Sequence, residues 1–426
     1  MKKACVIGLG YVGLPVAVRL AQAGYSVIGY DIDKRRVLLT NQGKSHIKDE
    51  YLSDELPRVK ENVHASTDEH VIKDADFVIV CVPTPIDHRQ QPDLAPLIHS
   101  SEAIARNMKE NQLISIESTI APGTCRGIVK PILEKNGFHC DKDFYLAHCP
   151  ERIDPGNKQY KLADLPRVLG ATSDGGLEKA LAFYESFITA PITKVSTIET
   201  AEMIKITENT FRDVNIAFVN ELACSIDTMG LEIDIMEVID GAATKPFGFK
   251  PHYPGTGVGG HCIAVDPWYL IQKGQDAGYP YHFLRLTREI NDRMPLYTVN
   301  KVIEGLNDCS KAIKGTKITV LGVAYKKNID DSRESPSHRV IKELYALGAD
   351  MIVYDPFIPE KSTVGNLEAA LQSECIVVCT DHDQFKLYID AKKLKEAGVK
   401  VVIDGRNCLD KKSILASGII YKGIGR

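Results

Sequence analysis

Cys262 is the residue of this sequence whose surroundings most suggest covalent chemistry. It follows the run Gly255-Thr256-Gly257-Val258-Gly259-Gly260, with His261 beside it and Asp266 four residues on. A thiol on a loop that lets a ligand approach closely is a candidate nucleophile. A buried structural cysteine is the alternative for any one of the 11 cysteines. Metal ligation is a third reading, although the adjacent His261 and Cys262 lack a partner pair at zinc spacing. Elsewhere Glu202, Lys205, Asn209 and Arg212 recur at i, i+3, i+7 and i+10, which is one stripe of a helix. That stripe is either a solvated face with ion pairs or a means of pointing a lysine and an amide into a cleft.

Near the start, Gly8-Leu9-Gly10-Tyr11-Val12-Gly13 follows a strand pattern and precedes an amphipathic helix, and Asp31 closes the next strand 18 residues after Gly13. In that context the glycines allow a tight turn and close approach to a pyrophosphate. The helix N-terminus offers N–H groups, and Asp31 can accept from a ribose 2′-hydroxyl. An acid there favours NAD over NADP, because it repels a 2′-phosphate. Lys34, Arg35 and Arg36 blunt that preference, though such residues more often serve as solvated surface charges. The second match to the glycine pattern, Gly255–Gly260, follows Pro251-His252-Tyr253-Pro254 rather than a strand and is not read as another dinucleotide fingerprint.

The elements that must carry these residues are legible in outline. Near-continuous apolar runs at 5–8, 26–31, 76–82, 113–117 and 144–147 alternate with helical patterns, as expected of parallel strands buried on both faces of a doubly wound α/β domain. The pattern returns at 317–323, 350–355, 375–380 and 400–404, and Ala75–Cys81 is echoed by Ser373–Cys379, suggesting a second Rossmann-like sheet. Between them, Ile204, Phe211, Val214, Phe218, Leu222, Ile226 and Met229 recur at helical spacing, with Gly230 as a stop. A helix over about 198–229 suits a spine joining two domains, with a stripe left for a partner subunit. At 426 residues the chain is too long for one core. The formal charge of −4 argues against a nucleic-acid protein. No uncharged apolar run reaches the length of a membrane span, and the N-terminal apolar stretch is too broken by glycine for a secretory signal. Scattered cysteines without a CxxC pair point to reduced thiols in a cytoplasmic protein.

Seven separated motifs together resemble the nucleotide-sugar 6-dehydrogenases, the UDP-glucose/GDP-mannose dehydrogenase family. They are GLGYVG at 8–13, VPTP at 82–85, ESTIAPGT at 117–124, CPERIDPG at 149–156, ENTFRDVNIAFVNE at 208–221, GVGGHCIAVDPW at 257–268 and KKNIDDSRESPS at 326–337. The resemblance implies an NAD-binding Rossmann domain (1–197), a central long-helix dimerisation region holding the cysteine loop (198–308) and a C-terminal Rossmann-like domain for the UDP-sugar (309–426). It further implies Cys262 as nucleophile, with Asp266, Lys205, Asn209, Thr119 and Glu151 as its catalytic partners. NAD contacts fall on Gly8, Gly10, Tyr11, Val12, Gly13, Asp31, Arg36, Thr84, Thr119 and Arg333. Substrate contacts fall on Glu151, Arg152, Lys205, Asn209, Tyr253, Gly259 and Lys326, and no metal is implied.

The implied reaction is a four-electron oxidation of C6 of a UDP-sugar through a thiohemiacetal and a thioester. Pro155 stands where UDP-glucose enzymes carry an acid, and Ile263-Ala264-Val265-Asp266 replaces their Phe-Pro-Lys-Asp run. The Pro-Glu-Arg and Gly-Gly-His-Cys forms resemble the UDP-N-acetylhexosamine branch. Within it KPFGFKPHYPG at 245–255 is similar to UDP-N-acetylglucosamine enzymes, whereas ESTIAP and HCPER occur also in UDP-N-acetylmannosamine ones. A homodimer or larger homo-oligomer is the expected assembly. A single-step β-hydroxyacid dehydrogenase and a non-catalytic nucleotide-sugar binding protein are the remaining alternatives.

Overall fold

A computed structural model of the chain describes residues 2–153 and 162–426. They form two compact units, one of residues 1–208 and 268–279, the other of 209–267 and 280–426.

The first unit is built on a sheet of β1 (Lys3–Ile7), β2 (Ser26–Tyr30), β3 (Val63–Ser66), β4 (Phe77–Val80), β5 (Gln112–Ile116), β6 (Phe144–His148), β7 (Arg167–Ala171) and β8 (Ile192–Lys194). Their order is β3-β2-β1-β4-β5-β6-β7-β8. The first six strands are parallel, and β7 turns antiparallel to β6. The order 3-2-1-4-5-6 is that of a dinucleotide-binding fold, which receives its ligand outside the carboxyl ends of β1 and β4, where the strand order reverses. Central strands such as β5 are buried along their whole length, which is why they read as continuous apolar runs. Strand β7 escapes that reading because it opens on Arg167, a charged residue that is completely buried.

The second unit holds β9 (Lys317–Leu321), β10 (Asp350–Tyr354), β11 (Cys375–Val378), β12 (Val401–Asp404) and β13 (Ile420–Gly423). This sheet is parallel throughout, in the order β10-β9-β11-β12-β13, another doubly wound order. Its helical part includes Ile235–Ala243 and the 27-residue helix His282–Asp308. The segment after β13 returns to that part as a strap. Ile424 is buried with Val219, Ala223, Ile226, Ile235, Ile239 and Met294. The Gly425 N–H donates to Asp227 Oδ2 at 3.1 Å, and its carbonyl accepts from Ile235 N at 2.9 Å. A Cβ on Gly425 would lie 2.6 Å from the Ala223 methyl, so this crossing requires glycine.

The long helix runs from Ile198 to Met229, and Gly230 ends it at φ +64°, as its position in the sequence predicts. Its buried side differs from the predicted stripe. Phe211, Phe218 and Met229 are 49, 57 and 53% exposed, whereas Ala201, Ile206, Ala217, Val219, Ala223 and Ile226 are buried. Alanines share the packed side with Ile206, Val219 and Ile226, and of the predicted stripe only Ile226 is fully buried.

Candidate active site

In the first unit the glycine turn lies between β1 and the helix Gly13–Gln22. Gly8 sits at φ +89°, with its would-be Cβ 2.7 Å from the Cys81 carbonyl. A Cβ on Gly13 would lie 1.8 Å from the Gly8 carbonyl. Gly10 differs, because nothing occupies the space within 4 Å of its would-be Cβ. Two glycines therefore close the turn while the third leaves room, the division expected where a pyrophosphate meets backbone at a helix N-terminus. Val12 occupies the N-cap position and supplies no side-chain cap. Tyr11 packs its ring against the cluster of Leu14, Val18, Ile47, Leu52 and Leu56. Asp31 is buried, its Oδ2 accepting from Leu9 N at 2.7 Å and its Oδ1 from Asp33 N at 2.8 Å. Arg36, predicted as a cofactor contact, lies 3.3 Å from Asp31 Oδ2 with its side chain 41% exposed, so this contact is exchangeable with solvent or ligand. These residues suit an adenosine ribose and its pyrophosphate.

Thr84 is half-buried after β4, where the Pro85 carbonyl accepts from Tyr269 Oη at 3.2 Å. Thr119 is half-buried after β5. After β6, Glu151 is almost completely enclosed. Its Oε1 accepts from Arg152 N at 2.6 Å and Ile153 N at 2.7 Å, and its Oε2 lies 2.6 Å from Arg167 Nη2, at ion-pair distance without hydrogen-bond alignment. The same guanidinium approaches Glu117 at 3.9 Å, and Glu117 accepts from Tyr184 Oη at 2.8 Å. Burial pushes the Glu117 carboxyl up to about 8, against the opposing pull of Arg167. Burial thus favours the protonated form of Glu117. Arg152 pairs with Glu208 and donates to the Pro166 carbonyl at 2.9 Å. His148, at the end of β6, is completely buried and held neutral, its value driven down to about 3 by burial, with the positive charge of Lys205 adding to the effect. Pro155, with the rest of 154–156 in the CPERIDPG motif, lies outside the described residues.

The polar stripe of the long helix is not a solvated face at all of its positions. Glu202 and Asn209 are buried, Lys205 is half-buried and only Arg212 is exposed. Glu202 accepts two backbone N–H groups, Gly123 at 2.5 Å on Oε2 and Cys125 at 2.7 Å on Oε1, and burial pushes its carboxyl up to about 7.

In the second unit Cys262 is half-buried in the turn 261–265, and its carbonyl accepts from Val265 N at 3.1 Å and Asp266 N at 2.8 Å, launching the helix Asp266–Asp276. Asn209 Nδ2 donates to the buried Asp266 Oδ2 at 2.5 Å, joining two of the predicted partners. The preceding glycines serve packing within the unit. A Cβ on Gly259 would lie 2.8 Å from the Glu334 carbonyl, and one on Gly260 the same distance from the Tyr325 ring. Arg333 bonds Asp331 through Nε and Nη2, and its carbonyl accepts from Gly260 N at 3.2 Å. Lys326 is half-buried in the same segment. Tyr253 is exposed and donates to Asp240 at 3.0 Å.

A buried network that sequence reasoning missed anchors this loop. Arg288 Nη1 donates to Asp213 Oδ1 at 2.5 Å, Asn291 Nδ2 to Asp213 Oδ1 at 2.8 Å, Asn220 Nδ2 to Asn291 Oδ1 at 2.9 Å, and Gly255 N to Asn220 Oδ1 at 3.0 Å. Asp213 and Asn220, polar and seven residues apart on the helix, were the available signal. None of the 11 cysteines is joined in a disulfide. Burial pushes Cys5 and Cys379 up to about 12 and Cys140 and Cys224 up to about 11, which leaves them inert near neutrality. Among the described residues no cluster of His, Cys, Asp or Glu could hold a metal ion.

Three matches cover most of the chain. Residues 2–188 match the NAD binding domain of the UDP-glucose/GDP-mannose dehydrogenase family, 199–293 its central domain and 319–411 its UDP binding domain. A UDP-N-acetyl-D-mannosamine dehydrogenase of Methanococcus maripaludis is 39% identical over 100% of this chain and 97% of its own. A UDP-N-acetyl-D-glucosamine 6-dehydrogenase of Pseudomonas aeruginosa is 34% identical over 93% of this chain and 94% of its own. The solved structure of a UDP-D-ManNAc dehydrogenase from Pyrococcus horikoshii superposes with a TM-score of 0.93 at 35% identity, covering 100% of this chain and 99% of that one.

Proposed function

The chain belongs to the UDP-glucose/GDP-mannose dehydrogenase family, as an NAD-dependent UDP-sugar dehydrogenase, and from that premise we propose that it oxidises C6 of a UDP-N-acetylhexosamine to the carboxylate. One observation carries this reading. The chain matches the family across all three of its domains and keeps a half-buried thiol, Cys262, four residues before an aspartate that accepts from Asn209. The proposed division of labour follows the motifs, with NAD binding at 1–197, the long helix and cysteine loop at 198–308 and UDP-sugar binding at 309–426.

NAD, when bound, takes up the hydride at each of the two oxidations. Gly10, with open space above it, and Asp31 hold its pyrophosphate and ribose, and the Arg36 contact to Asp31 yields to it. The Cys262 thiolate adds to the C6 aldehyde, forming a C–S bond and a thiohemiacetal. The second oxidation gives a thioester, which water hydrolyses to release the thiol and the acid. Capture on sulfur retains the reactive aldehyde between the two oxidations. Lys205 and Asn209 supply charge and an N–H donor to the oxygen that becomes negative at C6. Asp266 holds the Asn209 amide in one orientation. Thr119 and Glu151 handle the water and its proton, with Glu151 held in place by Arg167 and two backbone N–H groups. Tyr253, Gly259, Arg152, Glu151 and Lys326 contact the UDP-sugar, with Lys326 a flexible point charge for the diphosphate. Thr84 and, from the C-terminal region, Arg333 complete the NAD contacts.

UDP-N-acetyl-D-glucosamine is the first substrate to offer, on the strength of 245–255. UDP-N-acetyl-D-mannosamine is the second, supported by the 39% identical relative. Phe211, Phe218 and Met229, exposed on the long helix, support a homodimer. No described helix is long and apolar enough to cross a membrane, and we place the enzyme in the cytoplasm. The test is a panel of UDP-sugars with NAD. Two NADH per sugar are expected from one of the N-acetylhexosamines, and none from Cys262→Ser in the steady state, with NAD binding kept. One NADH per sugar, or near-normal turnover by Cys262→Ser, would sink the mechanism.

A further inference from the structure

The loop that carries Thr119 is fixed on two sides. On one side Ser118 Oγ donates to the Val82 carbonyl at 2.7 Å, and Glu117 N and Ser118 N reach the Val80 carbonyl at 2.9 and 3.2 Å. On the other side Glu202, from the second turn of the long helix, takes the N–H of Gly123 on one carboxylate oxygen and that of Cys125 on the other. Beside it Arg126 Nε pairs with Glu199 Oε1 at 2.6 Å. Between these fastenings Ile116, Glu117, Ser118 and Ile120 are buried, whereas Thr119, Ala121 and Pro122 are half-buried. The loop leaves β5 at the carboxyl end of the sheet, where a doubly wound fold receives its ligand. Lys205 lies three residues beyond Glu202 on the same helix, so one carboxylate ties the backbone of the Thr119 loop to the helix face that presents Lys205.

We propose that Glu202 is a positioning residue for the oxidation, holding Thr119 and Lys205 in one fixed arrangement by clamping the amides of Gly123 and Cys125. This rests on the reading that Thr119 acts in the reaction. A carboxylate suits the task because both of its oxygens accept, whereas a glutamine offers one acceptor and turns an NH2 group toward the other amide. A misplacement of about 1 Å at a reacting group costs up to about 100-fold in rate.

The experiment is a cycle of Thr119→Ala, Glu202→Gln and the double variant, assayed with NAD and whichever of UDP-N-acetyl-D-glucosamine and UDP-N-acetyl-D-mannosamine is turned over. Amide exchange at Gly123 and Cys125 is followed in parallel. Glu202→Gln is expected to lower kcat about 10- to 100-fold, to leave KM for the sugar within about twofold and to speed exchange at both amides. In the Thr119→Ala background the same change is expected to cost less than about twofold, because residues acting as one unit are not additive. A full effect in that background overturns the proposal, and so does a Glu202→Gln enzyme with unchanged kcat when Thr119→Ala is slow. If Thr119→Ala is itself silent, the reading of Thr119 fails and takes the proposal with it. Should Glu202→Gln not fold, Glu202→Asp, one methylene too short to span both amides, goes through the same cycle with the same outcomes.

Discussion

The turns at Gly8 and Gly322 share one backbone and differ in what their acids can still do. Gly8 and Gly322 sit at φ +89° and +90°. Gly8 N reaches the Tyr30 carbonyl at 2.8 Å, and Gly322 N the Tyr354 carbonyl at 2.9 Å. Asp31 Oδ2 accepts from Leu9 N at 2.7 Å, and Asp355 Oδ2 from Val323 N at 2.6 Å. The next strand is placed alike, with Cys81 N on the Ile7 carbonyl and Cys379 N on the Leu321 carbonyl. In the first turn, however, the last contact of the acid is the half-exposed Arg36. In the second it is His382, completely buried and stacked on Phe357 with ring centroids 4.9 Å apart. Asn328 N donates to His382 Nδ1, so Nε2 carries the hydrogen that meets Asp355 at 3.1 Å. Asp355 also takes Ala324 N, Phe357 N and Ile358 N. An acid at the end of the second strand therefore reads a ribose only while some of its lone pairs remain exchangeable, and position in the fold does not decide that.

The sharpest way to break this comparison is Asp355→Ala, which strands four backbone donors and the His382 N–H. A loss of about 3–5 kcal/mol is expected in urea unfolding, with NAD affinity by calorimetric titration unchanged. A tenfold loss of NAD affinity in the folded variant would mean that the second turn also serves the cofactor. Next come the glycines. Ala at position 8 or 322 imposes positive φ on a side chain and places its Cβ 2.7 Å from the Cys81 carbonyl or 2.4 Å from the Thr380 Cβ. Each is expected to lose about 1–3 kcal/mol, but Gly8→Ala alone should weaken NAD. Equal losses of affinity would erase the distinction.

The smallest effect is on pH dependence. Burial pushes the Glu117 carboxyl up to about 8 from its ordinary 4.5. Its contribution to stability is thus fully present below about 4.5 and lost as pH rises toward 8. Asp355 lies below its ordinary 3.8, held there by His382 and backbone N–H groups against its own burial, so its contribution is present above that value and lost as acid protonates it. Glu117→Gln should flatten the fall in Tm between about pH 5 and 8 while leaving the acid side alone. An unchanged slope would show that Glu117 is ionised in the fold.

What the sequence made legible follows from how local each signal is. The first glycine turn was readable because its glycines, strand, helix and acid lie within 31 residues. The echo between Ala75–Cys81 and Ser373–Cys379 was too short to argue duplication, and the matched hydrogen bonds show only that the two turns share one backbone geometry. The stripe of Glu202, Lys205, Asn209 and Arg212 was visible, but the partners of Glu202 are the backbone N–H groups of Gly123 and Cys125, which have no side-chain signature. The buried role of Arg167 had no local signal, because its carboxylates, Glu117 and Glu151, stand 50 and 16 residues away. The periodicity of Phe211, Phe218 and Met229 follows an exposed stripe of the long helix, because its packed side mixes alanines with Ile206, Val219 and Ile226.

The strap through Ile424 and Gly425 sets a timetable. Gly425 meets Asp227 across 198 residues of chain. At synthesis rates of about 5–20 residues per second, the helix face around Ala223 and Ile226 therefore waits roughly 10–40 s for its cover after it emerges. Throughout that interval the face has Ile235, Ile239 and Met294 to pack against but still lacks Ile424, the last residue of its cluster to be made.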